Sequence, residues 1–465
     1  MASSLAAVQH MKLLTKISDP AVQAEVVDEA IVWSIQHGLV MGLGGDAPPG
    51  SVSHAPLALL PMPYPRDAFE RAQRAALAFS SMIDRVSRDE PYLEATLRPA
   101  AAHDPFTARL LQLLVETRPQ RSARPTRVLS VLRSDYMLHE DDSLLQVELN
   151  TIASSFASLS SLTSRLHHSV LDRLGAGAFD LQALPHNDAM DGIAKALGSA
   201  HMHYVSGRPQ LAPAKASDAQ EAPVASSADA GGRGAGPLVS EGLSGGARSE
   251  GCSHSAGGSS TGRGGGAGGI TLARTFAPQV HPTPGAPLAA PPEPRASKPV
   301  ILFVVQPGER NAVDQHWLRS RLWDLHRVRV ARLTLEEVAE RCSLRESPKG
   351  ASPAEQELWI DAQGARPRRV SVVYLRAGYA PDDYVSDRCW AARALLERSA
   401  AFLCPTAALQ LAGAKRVQQD LSAPGVVERF SATDAEARAL RSFFAEQWSL
   451  EGLGRAEEGD GARAE

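Results

Sequence analysis

At 465 residues, the chain is long enough for two or three domains with hydrophobic cores of their own. Its 48 Lys and Arg residues nearly balance its 52 Asp and Glu residues. This balance argues against nucleic acid as the main partner, because phosphate binding favours a basic surplus. No apolar run of about 18 residues occurs, so no membrane span and no membrane partner are expected.

The beginning of the sequence predicts an amphipathic helix rather than a targeting segment. It carries Asp19, Glu25, Asp28 and Glu29 and lacks the apolar stretch of a signal peptide, and these acids also disfavour a plastid transit peptide. The four cysteines form no CxxC pair, which is typical of reduced thiols. We therefore expect a cytoplasmic protein, with a plastid as the alternative location.

Helices and one pair of strands are predicted in the first 205 residues. Residues 20–40 read as a helix, and the apolar spacing from Arg66 onward predicts a long one, with Ala72, Ala76, Phe79, Ile83 and Val86 on its buried stripe. Further helices are predicted over 105–116 and 157–175. The turn sequence HEDDS separates two apolar runs, 126–138 and 144–149, which should pair as neighbouring strands.

The composition changes sharply over residues 206–297, which are dominated by Gly, Ala, Ser and Pro. Such a segment has too little apolar surface to offset its ordering entropy, so we predict a disordered insertion. Its glycine-rich stretch 261–269 has neither a preceding strand nor the Gly-Lys-Ser/Thr of a phosphate loop, and a linker is the better interpretation. The neighbouring His-Met-His at 201–203 has no partner ligands nearby and does not predict a metal site.

Alternating strands and helices after residue 297 predict a parallel α/β domain. The continuous apolar run 298–305 is typical of a strand that is covered on both faces. Thr334 and Glu337 form a capping-box pattern at the start of one of the helices. Strands are predicted at 298–305, 327–333 and 371–379, and helices at 314–326, 334–342, 386–401 and 406–422.

Glu148 and Asn150 stand two residues apart at the end of an apolar strand. Residues with this spacing point to the same side, so the two side chains offer oxygen donors to one point. Hard cations such as Mg²⁺ prefer oxygen ligands, usually carboxylates together with phosphate oxygens. A divalent-metal site is one interpretation. The other is an ion pair between Glu148 and Arg133 on the adjoining strand.

Two more polar clusters follow predicted strands of the α/β domain. Glu309–Asn311, with Gln315 one helical turn further on, follows strand 298–305, and Arg376 and Tyr379 close strand 371–379. Ligands of open α/β sheets bind beyond the carboxyl ends of the strands, so both clusters should face one crevice. Arg376 suits a carboxylate, the amides suit a peptide, and Glu309 suits an ammonium group. The competing interpretation is a pair of ordinary solvated loops.

Five motifs follow one another along the chain: LRSDYM (132–137), ELNTIASSF (148–156), ERNAVDQ (309–315), RAGYAP (376–381) and QLAGAKRVQQDLSAPG (410–425). In this order they resemble the sequence of eukaryotic-type glutathione synthetases, which are ATP-grasp ligases. HAPLALLP (54–61) and DPFTARLL (104–111) resemble the same family, and the matches run from about residue 20 to residue 450 apart from the insertion.

The resemblance implies an enzyme that joins glycine to γ-glutamylcysteine. ATP would phosphorylate the cysteinyl carboxylate, and the glycine amine would attack the resulting acyl phosphate. The resemblance also implies a homodimer and one or two Mg²⁺ ions, which neutralise phosphate charge. By the family pattern, Glu148 is a metal ligand and nucleotide contact, Asn150 is a metal ligand and Lys415 is a nucleotide contact. No catalytic side chain is assigned. The residues that would hold γ-glutamylcysteine are Arg133, Ile152, Ala153, Ser154, Ser155, Glu309, Arg310, Asn311, Gln315, Arg376, Ala377, Gly378 and Tyr379.

These expectations give an α/β fold with a helical N-terminal part, a partial ATP-grasp core and a parallel α/β substrate-binding domain. The expected divisions are residues 1–205, the insertion 206–297, the substrate domain 298–412, and the start of the second ATP-grasp part at 413–465. Ala153 stands where animal members have serine, and Ala377 replaces an acid of the animal pattern.

The last residues, 430–465, show none of the remaining family features, such as a glycine-rich lid or a nucleotide-binding lysine. We therefore expect a chain that is C-terminally truncated relative to the family and has little or no activity alone. The alternative is a non-catalytic protein that binds γ-glutamylcysteine or glutathione, or pairs with a full-length subunit. A generic α/β small-molecule binder is a third interpretation.

Overall fold

The computed structural model describes residues 2–48, 50–123, 127–141, 143–174, 183–207, 298–346, 356–361, 366–445 and 447, with side chains from His10 onward. The predicted insertion, apart from residues 206 and 207, and most of the C-terminal tail lie outside the described residues. The predicted divisions of the chain stay predictions. Within the described residues, no helix is both long and apolar enough to cross a membrane.

The chain begins with two helices and a small hairpin. Helices α1 (Ala2–Ile17) and α2 (Pro20–Gln36) are followed by strands β1 (Val40–Gly42) and β2 (Val52–His54), which pair antiparallel. Helix α2 starts at Asp19, whose carboxylate accepts hydrogen bonds from the backbone N–H groups of Ala21 and Val22. This cap satisfies donors that lack partners in the first turn of any helix.

A helical layer follows, consisting of α3 (Arg66–Arg88), α4 (Glu90–Ala101) and α5 (Pro105–Ser122). The predicted long helix is present, but one residue of its predicted stripe is wrong. Ala76 is exposed, and Ala75 and Met82 are buried instead beside Phe79, Ile83 and Val86. The buried face of α3 is wider than predicted because this helix packs against α4 and also against the helices at 407–412 and 434–441.

Strands β3 (Arg133–Leu138) and β4 (Leu144–Asn150) pair antiparallel, as predicted, with Asp135 opposite Glu148 and Arg133 opposite Asn150. The register shifts between Asp135 and Tyr136. After β4 the chain enters helix α6 (Ala157–Arg173) and then α7 (Ala189–Ser206). The short segment between β4 and α6 therefore holds all of residues 152–155.

A six-stranded sheet forms the centre of the second half of the chain. Strands β5 (Val300–Val304), β6 (Val330–Leu333), β9 (Arg368–Leu375) and β10 (Phe402–Cys404) are parallel to one another. The hairpin of β7 (Cys342–Glu346) and β8 (Gln356–Ile360) joins the start of β9 antiparallel. The predicted α/β class is confirmed, and the hairpin makes the sheet a mixed one.

Strand β5 is buried on both faces, as its apolar run predicted. Val300, Leu302 and Val304 pack into one apolar cluster, and Ile301 and Phe303 pack into another. Helices α7 and α8 (Ala312–His326) cover one face, and α9 (Leu335–Arg341) and α10 (Asp387–Arg398) cover the other. The predicted capping box of Thr334 and Glu337 is present at the start of α9.

The predicted helix 406–422 is two helices, α11 (Ala407–Ala412) and α12 (Lys415–Ser422). They separate at Gly413, where a Cβ atom would stand 2.2 Å from the Thr151 hydroxyl oxygen. This close approach brings Lys415 beside the end of β4. Helices α13 (Val426–Arg429) and α14 (Asp434–Arg441) complete the described chain and pack towards α3 and α12.

Candidate functional site

Arg376 lies directly after β9, where the parallel strands end. Its backbone N–H donates to the carbonyl of Val304 on β5 at 2.8 Å, which holds the ends of the two strands side by side. The side chain is only 2% exposed. Its guanidinium donates to the Ser155 hydroxyl at 2.7 Å and to the Ser154 carbonyl, and it lies 3.8 Å from the Asp314 carboxylate. The sequence-predicted segments 152–155 and 376–379 therefore meet at this side chain.

Asp314 is one of the site residues that the sequence analysis did not predict. It is fully buried on α8, and its carboxylate accepts from the backbone N–H groups at the start of α6: Ser158 at 2.8 Å, Phe156 at 3.1 Å and Leu159 at 3.3 Å. A carboxylate at a helix N-terminus is stabilised by the unpaired N–H groups and the helix dipole. We call Arg376, Asp314, Ser154 and Ser155 the arginine cluster. Asp314 lies inside the motif ERNAVDQ (309–315), and helix α6 has no capping side chain of its own, so the Asp314 carboxylate takes that place.

The segment between β4 and α6 has an unusual backbone. Ala153 has a φ of 50° and Phe156 a φ of 74°, in the left-handed region that side chains other than Gly adopt rarely. The Ser154 hydroxyl lies 3.2 Å from the carbonyl of Val131 and 3.3 Å from that of Asn150, and it can donate to either. Residues held in this region depend on surrounding contacts and concentrate at functional sites.

Glu309, Asn311 and Gln315 form a hydrogen-bonded group after β5. The Glu309 carboxylate accepts from the Asn311 backbone N–H at 3.0 Å and from the Gln315 side-chain amide at 3.1 Å. Arg332 on β6 donates to the Gln315 carbonyl oxygen at 2.8 Å, which fixes the orientation of that amide. Gln315 is fully buried. Asn311 is 7% exposed, and its side-chain oxygen has no hydrogen-bond partner.

Not every predicted residue joins these groups. Arg310 turns towards β1, where its guanidinium donates to the carbonyl of Gly42 at 3.3 Å. Ala377 is 2% exposed and belongs to an apolar cluster under the sheet, against which Ile152 also packs. Gly378 has a φ of 94°, and the Tyr379 hydroxyl accepts from the Gln306 amide at 3.1 Å.

A second group, the carboxylate cluster, lies on β3, β4 and the start of α12 and consists of Glu148, Asp135, Asn150, Arg133 and Lys415. Lys415 donates to Glu148, and the Asn150 amide donates to Glu148 at 3.0 Å and to Asp135 at 3.2 Å. The Arg133 guanidinium donates two hydrogen bonds to the Asp135 carboxylate, at 2.8 and 2.9 Å, and lies 3.9 Å from the Glu148 carboxylate. The ion pair considered for Glu148 is therefore made mainly by Lys415.

The hydrogen bond from Lys415, followed by that from Asn150, lowers the pKa of Glu148 to about 2. Glu148 is consequently ionised at neutral pH. Asp135 was also missed by sequence reasoning, although the strand pairing that was predicted brings it opposite Glu148 once the register is known.

The carboxylate cluster fits a hard divalent cation in its donor chemistry. The carboxylates of Glu148 and Asp135 and the side-chain oxygen of Asn150 are all oxygen ligands of the kind that Mg²⁺ prefers. Within the described ranges, no group of three or more His, Cys, Asp or Glu side chains is arranged to hold a metal ion. Two carboxylates and an amide therefore supply part of a coordination shell, which suits a cation that also binds phosphate oxygens.

The two clusters are connected through the segment that follows β4. The Ser154 carbonyl accepts from Arg376, the Ser154 hydroxyl lies within hydrogen-bond distance of the Asn150 carbonyl, and the Asn150 amide donates to Glu148. These hydrogen bonds, together with the residues Ser154 and Asn150 themselves, link the end of β9 to the Glu148 carboxylate on β4.

Among the described residues, one histidine and three cysteines are buried in the protein interior. His201 is buried on α7, where its ring nitrogen and the Ser371 hydroxyl are 2.7 Å apart. Cys342, Cys389 and Cys404 are buried free thiols, as reduced cysteines were expected to be, and burial raises the pKa of Cys342 and of Cys404 to about 12. Cys252 lies outside the described residues.

Comparisons with known proteins agree with the fold and the motifs. Residues 20–465 match the family model described as eukaryotic glutathione synthase, ATP binding domain. Glutathione synthetases named chloroplastic from Solanum lycopersicum and Arabidopsis thaliana are each 32% identical to the chain over 93% and 94% of its length. The chain spans 62% and 63% of these two relatives. Glutathione synthetase from Xenopus laevis is 30% identical, with 96% of this chain and 72% of the relative aligned.

A solved structure has the same fold. The apo form of a glutathione synthetase-like effector from Globodera pallida superposes with a TM-score of 0.57 at 19% identity, covering 93% of this chain and 72% of the effector. At this identity the likeness concerns the fold alone.

Proposed function

Because the chain belongs to the eukaryotic glutathione synthase family, we propose that it takes part in the ATP-dependent ligation of glycine to γ-glutamylcysteine. In this reaction ATP phosphorylates the cysteinyl carboxylate, and the glycine amine attacks the acyl phosphate and displaces phosphate. The partners proposed with it are ATP, glycine, γ-glutamylcysteine and a second copy of the chain. The cytoplasm is the proposed location, although the two plant relatives are named chloroplastic.

The observation that carries the proposal is a pair of buried polar atoms without partners at the end of the sheet. The Nε of Arg376 and the side-chain oxygen of Asn311 make no hydrogen bond. An unpaired buried polar group costs about 1–3 kcal/mol. A dipeptide offers a carboxylate to the guanidinium and an N–H group to the amide oxygen, so binding would relieve both costs.

Other side chains of this edge suit the rest of the dipeptide. Glu309 is oriented by Asn311 and Gln315 and can accept from the ammonium group of a γ-glutamyl moiety. Asp314 holds Arg376 and the start of α6 in place, and Ser154 and Ser155 contact the same guanidinium. The proposed role of the arginine cluster is therefore to bind and orient the dipeptide.

The carboxylate cluster is the proposed nucleotide end of the site. Glu148 and Asn150 would hold one or two Mg²⁺ ions, which neutralise phosphate charge when they are bound. Lys415 is 69% exposed and is paired with Glu148, so its ammonium group can turn from the carboxylate towards a phosphate without disturbing buried packing. Asn150 and Arg133 keep the two carboxylates oriented meanwhile.

Isothermal titration of the chain with γ-glutamylcysteine tests the binding step. Arg376→Met should weaken binding at least about 30-fold, because truncating one partner of a buried charge contact costs about 2–5 kcal/mol. Glu309→Gln, at a less buried position, should weaken it about tenfold. The control Arg66→Met, at an exposed position at the start of α3, should leave the affinity unchanged. Equal affinity in all four proteins would contradict the proposed dipeptide site.

An assay of ATP- and glycine-dependent glutathione formation separates binding from turnover. The chain spans 62% of the relative from Solanum lycopersicum, and our expectation stays that these 465 residues alone form little or no glutathione. Dipeptide binding without turnover would support the alternative of a binding protein or of a subunit that works with a longer one. Turnover comparable with that of a longer relative assayed in parallel would contradict the expectation.

A further inference from the structure

We propose that Asp383, together with Gln306, is a positioning residue that holds the loop 376–379 in the form that receives the dipeptide. The inference rests on the proposed function and adds to it two residues outside the motifs that identify the family. Asp383 ends a short 3-10 helix, Pro381–Asp383, which follows the loop directly. Gln306 comes shortly after strand β5, which pairs with strand β9 that precedes the loop.

The Asp383 carboxylate gathers three consecutive backbone N–H groups of the loop. One of its oxygens accepts from Gly378 at 2.9 Å, Tyr379 at 3.1 Å and Ala380 at 3.2 Å. Hydrogen bonds to an ionised acceptor are roughly twice as strong as neutral ones. Three successive peptide groups aimed at one oxygen fix the backbone of the loop, because each of them would have to rotate for the loop to rearrange.

The carbonyl group of Gly378 in this loop is also held by hydrogen bonds. The Gly378 carbonyl accepts from the Gln410 amide at 2.8 Å and from the Tyr384 hydroxyl at 3.3 Å. A Cβ atom on Gly378 would stand 3.0 Å from that hydroxyl, and the φ of 94° already requires glycine. The loop is consequently clamped from α11 on one side and from Asp383 on the other.

Gln306 connects this clamp to strand β5. Its side-chain amide donates to the second Asp383 oxygen at 2.7 Å and to the Tyr379 hydroxyl at 3.1 Å. The Tyr379 side chain is 46% exposed, so packing constrains it little, and the contact with Gln306 sets the direction of its hydroxyl. Glu309 emerges from the same segment after β5. The two halves of the proposed dipeptide site are therefore linked by Gln306 and Asp383.

A competing interpretation predicts the opposite change in dipeptide affinity when Asp383 is removed. A carboxylate on three N–H groups resembles a bound carboxylate ligand, so Asp383 could occupy donors that the dipeptide needs. In that case its removal would tighten dipeptide binding. If Asp383 positions the loop, its removal loosens the loop and weakens binding.

The test uses Asp383→Asn and Gln306→Met, with Asp382→Asn as the matched control at the adjacent exposed position. Peptide-level hydrogen exchange of residues 376–380 and titration with γ-glutamylcysteine are measured for each protein. Asp383→Asn should speed exchange of this segment at least tenfold and weaken binding at least tenfold, and Gln306→Met should weaken binding about threefold. Asp382→Asn should change neither quantity.

A Tyr379→Ala background separates positioning from general stability. There, Asp383→Asn should weaken binding less than twofold further, because it acts through the loop that carries Tyr379. Unchanged exchange in Asp383→Asn would overturn the positioning role whether or not the dipeptide binds. Faster exchange with equal or tighter binding would also overturn it. A wild-type chain that binds no dipeptide would instead contradict the proposed function and, with it, the binding half of this inference.

Discussion

The arginine cluster and the carboxylate cluster differ in how firmly the fold holds their charges. Arg376 and Asp314 are 2% and 1% exposed at the side chain, whereas Lys415 is 69% and Glu148 27% exposed. The arginine cluster uses backbone groups of α6 and the β4–α6 segment as partners. The carboxylate cluster uses mainly other side chains. A buried charge must be held in one arrangement, whereas an exposed pair can exchange partners at low cost.

This difference matches the two proposed tasks. A flexible dipeptide is best bound by protein groups that are oriented beforehand, because the protein then loses little conformational freedom on binding. A nucleotide with its metal ions arrives as a highly charged group, and side chains that can leave one another are able to regroup around it. Changing one charge in each cluster tests whether the two clusters differ in this way.

The largest effect is expected for Asp314→Asn. The variant keeps the shape but removes the charge that faces Arg376 and three N–H groups at the start of α6. Breaking a buried ion pair typically costs about 3–5 kcal/mol, and the free energy of unfolding in urea should fall by that amount. Asp172→Asn, at an exposed position on α6, is the control and should cost less than about 0.5 kcal/mol. Similar losses in both variants would remove the distinction between the clusters.

An intermediate effect on the free energy of unfolding is expected when the pH is lowered. It arises at His201, which contacts β9, the strand that Arg376 follows. Burial lowers the pKa of His201 to about 4 from 6.5, with smaller effects of His326 and Lys298, and its ring lies within hydrogen-bond distance of Ser371 on β9. The unfolded chain binds more protons between these values, so stability falls as the pH drops from 6.5 to 4. At about 1.4 kcal/mol per pH unit, the loss is at most about 3.5 kcal/mol.

His201→Gln removes this titration and should flatten the dependence of the unfolding free energy on pH between 6.5 and 4. The neighbouring His203→Gln, outside the core, serves as the control and should retain the slope of the parent chain. An identical slope in His201→Gln and in the parent would show that another group controls acid stability.

The smallest effect on stability is expected for Lys415→Gln in the carboxylate cluster. Exposed ion pairs contribute about 0–1 kcal/mol, and the Lys415 side chain is mostly in solvent, so the unfolding free energy should change by less than about 1 kcal/mol. Nucleotide affinity, measured by titration with ATP and Mg²⁺, should nevertheless fall by at least about tenfold. A stability loss as large as that of Asp314→Asn would show that the second cluster is as rigid as the first.

Several helices and strands could be predicted from the sequence because they depend on short-range patterns. The apolar run 298–305, the capping box at Thr334 and the pairing of two strands around HEDDS all depend on residues close in the chain. The break at Gly413 could not be predicted in this way. It depends on Thr151, which is distant in sequence and reaches Gly413 only after α11 packs beside the end of β4.

The same limit explains the site residues that sequence reasoning missed. Asp314 matters because α8 places its carboxylate at the start of α6, more than 150 residues earlier in the chain. Asp383 and Gln306 matter because the parallel pairing of β5 and β9 brings their loops together. Motifs that resemble a family point to candidate ligand-binding residues, whereas the contacts that hold those residues in place become visible only in the folded structure.

We propose that the arginine cluster, the Asn311 amide and the loop 376–379 together form a dipeptide site. A crystal structure of the chain with γ-glutamylcysteine tests it most directly. We predict a carboxylate of the dipeptide within hydrogen-bond distance of the Arg376 Nε and a dipeptide N–H group at the Asn311 side-chain oxygen, with the backbone of residues 376–380 unchanged. A dipeptide bound elsewhere on the chain, with both of these atoms still unpaired, would contradict the account.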